Sequence, residues 1–442
     1  MTLADRLHLD PFQGYAYSYP HKMAYRPFLP PIDLEPYWAQ EDRSALFLYV
    51  HIPFCEVRCG FCNLFTSTAQ SSSVVSSYLS TLFRQMSVMH DVLGGHRFAK
   101  VAFGGGTPSF LSETELETVF DVMATKLGGV FPDTPFSFEV SPATISEQKL
   151  QLLKNRGVTR LSIGVQSFLE AETRALGRPQ KPAVLMAALE QIRGTGFPVM
   201  NIDLIYGVQG QTPETWAESL RQALVFEPEE IYLYPLYIRP MTGLHRIGRD
   251  PSDLRFALYQ QGRDFLKSRG YRQISMRLFR RDTRDLSPES HEGPIYCCQE
   301  DGMVGLGAGA RSYTGRMHYS SEYAVGQNGV RAILDDYCRR EDSSFREADY
   351  GCLLDDQEQR RRHVIKSLLR HDGLDLAGYE LRFRSSAEDD FPELEELFPL
   401  ALAERDGPRL KLTQEGIDYS DTIGPWLFSE QSCRQMEEFA IT

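Results

Sequence analysis

From Ala45 to about Leu244 the chain alternates short apolar runs with helical patterns, and this alternation restricts the fold more than any other feature. Short strands buried on both faces, separated by amphipathic helices, build successive βα units and a parallel sheet. Six strand candidates emerge, at residues 46–52, 100–104, 136–140, 160–165, 199–204 and 230–236. Each is rich in Val, Ile, Leu, Phe or Tyr and is bounded by Gly, Pro or polar residues. Ser112 with Glu115 forms a capping box ahead of Leu116, Val119, Phe120 and Met123, and Thr212 followed by Pro213 gives an N-cap with proline at the first helical position. Leu185, Leu189 and Ile192 make one apolar face of a helix that Gly194 and Gly196 are expected to end. Six units fall short of the eight that close a full barrel, so the expected α/β fold is an incomplete, splayed barrel.

The division read from the sequence is an N-terminal extension over 1–44, the partial barrel over 45–245, a less periodic barrel extension and substrate-side region over 246–355, and a smaller helical domain over 356–442. Within the last, residues 360–369 are amphipathic. The formal charge is −13. An acidic chain without a Lys/Arg block lacks the electrostatic footprint of a nucleic-acid binder, which leaves small molecules or peptides as substrates. Residues 1–44 show neither the basic nor the apolar region of a signal peptide, and no apolar run is long enough to span a bilayer. The expectation is a cytoplasmic protein without a membrane partner, in which a reducing compartment keeps Cys297, Cys298, Cys338, Cys352 and Cys433 as thiols.

In parallel βα architectures ligands sit at the carboxyl ends of the strands, and the unusual clusters of this chain gather there. Cys55, Cys59 and Cys62 follow the first strand candidate with the spacing C-x3-C-x2-C. Gly104-Gly105-Gly106-Thr107-Pro108 ends the second, Glu139 is near the end of the third, Gln166 follows the fourth and Asp203 ends the fifth. Three thiolates can hold three irons of a cubane iron–sulfur cluster, whereas a purely electron-carrying cluster normally takes four, so one iron is left for a ligand that is not protein. The other readings are a zinc knuckle or buried free cysteines, but zinc sites usually need a fourth Cys or His at short spacing and none stands nearby. The glycines free the backbone to approach a ligand, although a Gly-rich strand end alone is as often a tight turn. Taken singly, Glu139 or Asp203 also reads as a helix cap, and Arg178 as a solvated helix-end cation.

The cysteine spacing, with Phe61 just before the third cysteine, resembles the signature of the radical S-adenosylmethionine (SAM) superfamily. That resemblance implies a 4Fe-4S cluster on Cys55, Cys59 and Cys62, with SAM chelating the open iron through its amino and carboxylate groups. It further implies one-electron cleavage of SAM to a 5′-deoxyadenosyl radical, an electron donor such as flavodoxin or ferredoxin, and a partial (β/α)6 barrel. The longer motifs are Tyr49-Val50-His51-Ile52-Pro53-Phe54-Cys55, Gly104 through Ser109, Glu139-Val140-Ser141-Pro142, Arg160 through Phe168, Asn201 through Gly207 and the terminal run 412–427. These resemble the oxygen-independent coproporphyrinogen III dehydrogenase group, which also includes heme chaperones, heme-degrading methyltransferases and class C radical SAM methyltransferases, over about Leu46 to Leu427.

Carried over by position, the resemblance implies that Tyr49, Gly105 and Glu139 help hold the cluster-bound SAM and that Arg311 lies beside it. Phe61, Gly106, Thr107, Gln166, Arg178, Asp203 and Tyr237 match positions that contact a second SAM, and the C-terminal domain is expected to be winged-helix-like. The expected activity is therefore hydrogen abstraction from a small-molecule, tetrapyrrole or peptide substrate, or methyl or methylene transfer from a second SAM. Oxidative decarboxylation of coproporphyrinogen III and non-catalytic heme transfer are the alternatives. The chain departs from the dehydrogenase pattern at Leu64, where a further cysteine stands in that group. It departs from the chaperone pattern over His291-Glu292-Gly293-Pro294-Ile295-Tyr296, where a His-Asn-x-x-Tyr-Trp motif binds heme. Cys297 and Cys298 read as packing thiols, as a hydrogen-atom donor pair or as substrate-binding groups, and Arg311 and the arginines of 277–284 as partners for substrate carboxylates or as solvated surface.

Overall fold

The computed structural model describes residues 2–68, 71–127, 134–281 and 300–439. In chain order its strands are β1 (Arg26–Asp33), β2 (Leu46–Ile52), β3 (Phe54–Cys55), β4 (Ser67–Thr68), β5 (Phe98–Gly105), β6 (Phe136–Val140), β7 (Arg160–Gln166), β8 (Val199–Tyr206), β9 (Glu230–Pro235), β10 (Tyr271–Gln273), β11 (Leu278–Arg281), β12 (Met303–Leu306), β13 (Arg311–Tyr313), β14 (Met317–Ser320), β15 (Glu347–Leu353), β16 (Leu374–Asp375), β17 (Ala403–Asp406) and β18 (Arg409–Leu412). The six expected strands are β2, β5, β6, β7, β8 and β9, which lie side by side in that order, all parallel. Helices such as Ser72–Leu93, Glu113–Lys126, Pro182–Thr195 and Pro213–Val225 cover their outer face.

The period-two alternation of a strand gives each of these six two different faces. Leu161, Ile163 and Val165 of β7, Met200, Ile202 and Leu204 of β8 and Ile231 and Leu233 of β9 are buried in the main core with Leu185, Leu189, Ile192, Trp216 and Leu220 of the helices. The opposite face carries Arg160 and Ser162, Asn201 and Asp203, and Glu230, so the lumen is polar. Its floor, at the amino ends of the strands, is closed by Glu230, which accepts from Arg160 Nε and Arg280 Nε at 2.7 Å each.

Ser112 and Glu115 make the expected capping box, and Thr212 caps the helix that begins at Pro213. Gly196, with a left-handed φ of 73°, ends the helix Pro182–Thr195, whereas Gly194 lies inside the last turn, contrary to the expectation that both glycines stop it. A single left-handed residue suffices to satisfy the terminal carbonyls.

The sheet does not end with the six units. β12 adds in parallel to β2, β13, β14 and β15 follow antiparallel, and β1 forms the outer edge, while β11 and β10 extend the other end. β1 carries Pro27, Pro30 and Pro31, and an edge is where a sheet tolerates prolines. A separate three-stranded sheet β16-β18-β17 and the helices Asp356–Leu368, Leu376–Phe383, Gln414–Asp418 and Ser420–Trp426 form the winged-helix-like C-terminal region. The solvated-surface reading fails for Arg277 and Arg280, which pair with the buried carboxylates of Asp421 and Glu230, whereas Arg281 is partly exposed and pairs with the partly exposed Glu229. Arg284, the His291–Tyr296 segment, Cys297 and Cys298 lie outside the described residues. Among the described residues no helix is long and apolar enough to cross a membrane.

Candidate active site

The cysteine-bearing loop is clamped from three sides. Gly106 N–H donates to the Ile52 carbonyl and Thr107 N–H to the Phe54 carbonyl, both at 2.8 Å, so the glycine-rich end of β5 is laced to the start of the loop. Ser67 N–H returns the far end to the Pro53 carbonyl at 2.7 Å. In the middle, Gly60 donates to the Leu176 carbonyl at 2.9 Å and accepts from Leu244 N–H at 2.8 Å. A side chain at Gly60 would meet the Leu176 carbonyl at 2.9 Å, so only glycine fits this wedge.

Each cysteine sulfur has a polar neighbour. Thr107 Oγ1 lies 3.5 Å from Cys55, Arg178 Nη1 lies 3.2 Å from Cys59, and Thr66 Oγ1 lies 3.8 Å from Cys62. All three thiols are partly exposed. Burial pushes the Cys55 thiol up to about 12 and raises that of Cys62, so metal binding would have to displace their protons. Among the described residues no three His, Cys, Asp or Glu side chains converge on a point that would hold a single ion. Three thiolates on one loop with C-x3-C-x2-C spacing suit a cube, where each holds a different iron.

The strand ends supply the cradle beside the cysteines. Gly105 adopts a φ of +110°, and a Cβ there would lie 2.4 Å from the His51 ring. Its N–H donates to Glu139 Oε2 at 3.3 Å. A Cβ on Gly104 would meet the same carboxylate at 2.9 Å, and one on Gly106 would meet the backbone of Pro53 and Phe54. Glu139 is exposed to the lumen, with Gly104 and Gly105 against its carboxylate. Burial, with repulsion from Asp203, raises its carboxyl to about 7, while burial raises Asp203 to about 6 against bonds from Asn201 and Ser162. Asn201 Nδ2 donates to Asp203 Oδ1 at 2.8 Å, and Asn201 Oδ1 is buried without a partner.

Arg178 joins these parts, since its Nη2 donates to the Gly164 carbonyl at 3.0 Å while Nη1 reaches Cys59. Gln166 sits at a bulge with a left-handed φ of 67°, and its amide lies over Gly164. Phe61 packs in a small apolar cluster with Leu176, Ile205, Val208, Leu236 and Leu244. Tyr49 is half-buried on β2, and its hydroxyl meets His51 Nδ1 at 3.3 Å. The Tyr237 hydroxyl donates to Asp421, which Arg277 also holds, so its polar end is already engaged. Arg311 of β13 lies among Tyr313, Tyr25, Tyr49 and Tyr15.

Sequence reasoning left His51 without a role. Its Nε2 lies 3.0 Å from the Phe65 carbonyl, which can only accept, so Nε2 carries the proton and Nδ1 accepts from Tyr49. Burial depresses it to about 4, which keeps the ring neutral. The available signal was its i, i+2 placement with Tyr49 on one strand face.

Residues 49–223 match the radical SAM superfamily. The chain is 30% identical over 273 residues to the heme chaperone HemW of Bacillus subtilis (strain 168), covering 60% of this chain and 70% of that protein. The chain belongs to the radical SAM superfamily. Within the superfamily it is 29% identical over 394 residues to the oxygen-independent coproporphyrinogen III oxidase of Escherichia coli (strain K12), with 86% of this chain and 84% of that one covered. The solved structure of coproporphyrinogen III oxidase (HemN) from Escherichia coli superposes on this radical SAM chain with a TM-score of 0.78 at 26% identity, over 90% of this chain and 95% of that one. Radical SAM membership implies a 4Fe-4S cluster and SAM.

Proposed function

We propose that this chain is a radical SAM enzyme whose Cys55, Cys59 and Cys62 hold the cluster and whose substrate receives a methyl or methylene group from a second SAM. The observation that carries the reading is the juxtaposition of three cysteines on one clamped loop with the Gly104–Gly106 cradle and Glu139. When bound, the cluster and SAM supply a 5′-deoxyadenosyl radical. Gly105 and Glu139 bind and orient the amino group of the first SAM, Tyr49 is oriented by neutral His51, and Arg178 stabilises negative charge on Cys59. Phe61, Gly106, Thr107, Gln166 and Asp203 ring the space for the second SAM, in which Asp203 accepts from ribose hydroxyls. An external reductant of the flavodoxin or ferredoxin type delivers the electron.

Oxidative decarboxylation of a tetrapyrrole is the second reading, favoured by the similarity to coproporphyrinogen III oxidases over 86% of this chain. Anaerobic reconstitution with iron, sulfide and dithionite, followed by mass spectrometry, separates the two. Formation of S-adenosylhomocysteine supports methyl transfer, and 5′-deoxyadenosine alone overturns it in favour of simple hydrogen abstraction. Cys59→Ala is expected to abolish both products, and persistent cleavage in that variant would contradict the ligand assignment.

A further inference from the structure

Most enclosed cations of this chain meet a carboxylate. Arg160 and Arg280 share Glu230, Arg277 holds Asp421, and Arg362 holds Asp301. Lys22, Arg239 and Arg311 do not: among the described residues none of the three side chains has an ion pair or a hydrogen bond to a protein acceptor. Each instead lies against a tyrosine face. Lys22 Nζ is 3.5 Å from the Tyr323 ring centre, the Arg239 guanidinium is 4.4 Å from that of Tyr237, and the Arg311 guanidinium is 5.6 Å from that of Tyr313. Tyrosine faces fix the direction of a cation without neutralising it.

The three come from distant parts of the chain to one place. Lys22 begins a short 3-10 turn in the N-terminal extension, Arg239 follows β9, and Arg311 starts β13. Burial and the proximity of Arg311 and Arg239 hold the Lys22 ammonium well below its usual range, and only the Cys62 sulfur opposes them. Tyr323, under Lys22, donates to the Asn63 carbonyl at 3.0 Å, next to Cys62. The group therefore overlooks the cysteine loop. All three are half-buried, where positive charges without counter-charges carry a cost that an arriving anion removes. SAM is a poor candidate, since its sulfonium is repelled by the same charges and it carries a single carboxylate.

We infer that Lys22, Arg239 and Arg311 form the substrate-recognition subsite, and that it selects a small molecule bearing two or more carboxylates or phosphates. This rests on the radical SAM reading above, in that the anionic groups anchor the substrate while its reacting carbon faces the cysteine loop. Arg supplies a fork suited to either oxyanion, and Lys a point charge.

The test uses the reconstituted protein with SAM, titrated at low salt with benzenehexacarboxylate and, separately, with tripolyphosphate. Binding of either probe is expected, and the double variant Lys22→Gln, Arg239→Gln is expected to weaken it about tenfold or more. Lys22→Arg with Arg239→Lys should restore it. Tighter binding of the carboxylate probe assigns carboxylates, and tighter binding of tripolyphosphate assigns phosphates. Absence of binding by the unaltered chain, or binding that the Gln variant leaves unchanged, overturns the inference. Substrate-free 5′-deoxyadenosine formation is measured in the same samples and should be equal in all variants. Its absence from the unaltered chain would strike the enzyme reading, while the anion titration would still report on the subsite.

Discussion

Arg178 Nη1 stands 3.2 Å from Cys59 Sγ, and the other arm of the same guanidinium is pinned to the Gly164 carbonyl at 3.0 Å. One residue thus ties the cysteine loop to the bulge of β7, where Gln166 sits. Hydrogen bonds to cluster sulfurs favour the reduced, more negative state.

Replacing Arg178 by Ala should therefore move the cluster midpoint potential to a more negative value, by on the order of 60 mV, the one-electron equivalent of a tenfold change. Arg178→Lys should recover part of the shift, because it keeps the charge and loses the fork. Potentiometry followed by electron paramagnetic resonance reads the result, and an unmoved potential would show that the contact does not persist in the loaded protein.

SAM affinity should fall in acid. Burial, with Asp203 nearby, raises Glu139 to about 7, and the amino N–H groups of SAM donate to the ionised form. As pH drops below about 7 the ligand must displace a proton, so the dissociation constant should rise by up to about tenfold per pH unit, while above 7 it levels off. Anaerobic calorimetry from mild acid to mild base checks this, with Glu139→Gln expected to flatten the profile.

Gln166 holds a φ of 67°, which a residue with a Cβ adopts at a cost of about 1 kcal/mol or more. Gln166→Gly should therefore leave the unfolding midpoint unchanged or raise it, while lowering S-adenosylhomocysteine formation. A clear loss of stability instead would mean that the amide packed over Gly164 contributes to folding rather than to binding.

Arg277 Nη2 donates to Asp421 Oδ2 at 2.5 Å, and their side chains are 3% and 0% exposed. Removing one partner leaves an uncompensated buried charge, so Asp421→Ala should cost about 3–5 kcal/mol in denaturant unfolding. The apolar pair Arg277→Met with Asp421→Leu should recover much of this. The Tyr237 hydroxyl would lose its acceptor in both variants, which separates its effect on SAM binding from that of stability.

The barrel strands were legible because their signal is local. β2 and β6 take the expected bounds, and β5 and β8 are extended only at their ends. β10 to β14 were not delimited as strands within the expected barrel extension, since strands of three or four residues carry too little alternation to separate from loops. His51 was quoted within a motif but given no role, because its partners Phe65 and Tyr49 are set by the return of the loop and not by spacing. Tyr237 was placed in the SAM set by position alone, whereas the packing of Asp421 decides where its hydroxyl goes.

The order of residues alone determined the six βα units, the three cysteines and the glycines that follow β5, because hydrophobic period, spacing and backbone freedom are properties of neighbouring residues. The tertiary structure decided that Arg178 meets Cys59, that Gly60 is wedged between Leu176 and Leu244, and that Lys22, Arg239 and Arg311 come together without an ion pair among the described residues. Those meetings depend on sheet order and on how far each loop reaches, which no property of neighbouring residues specifies.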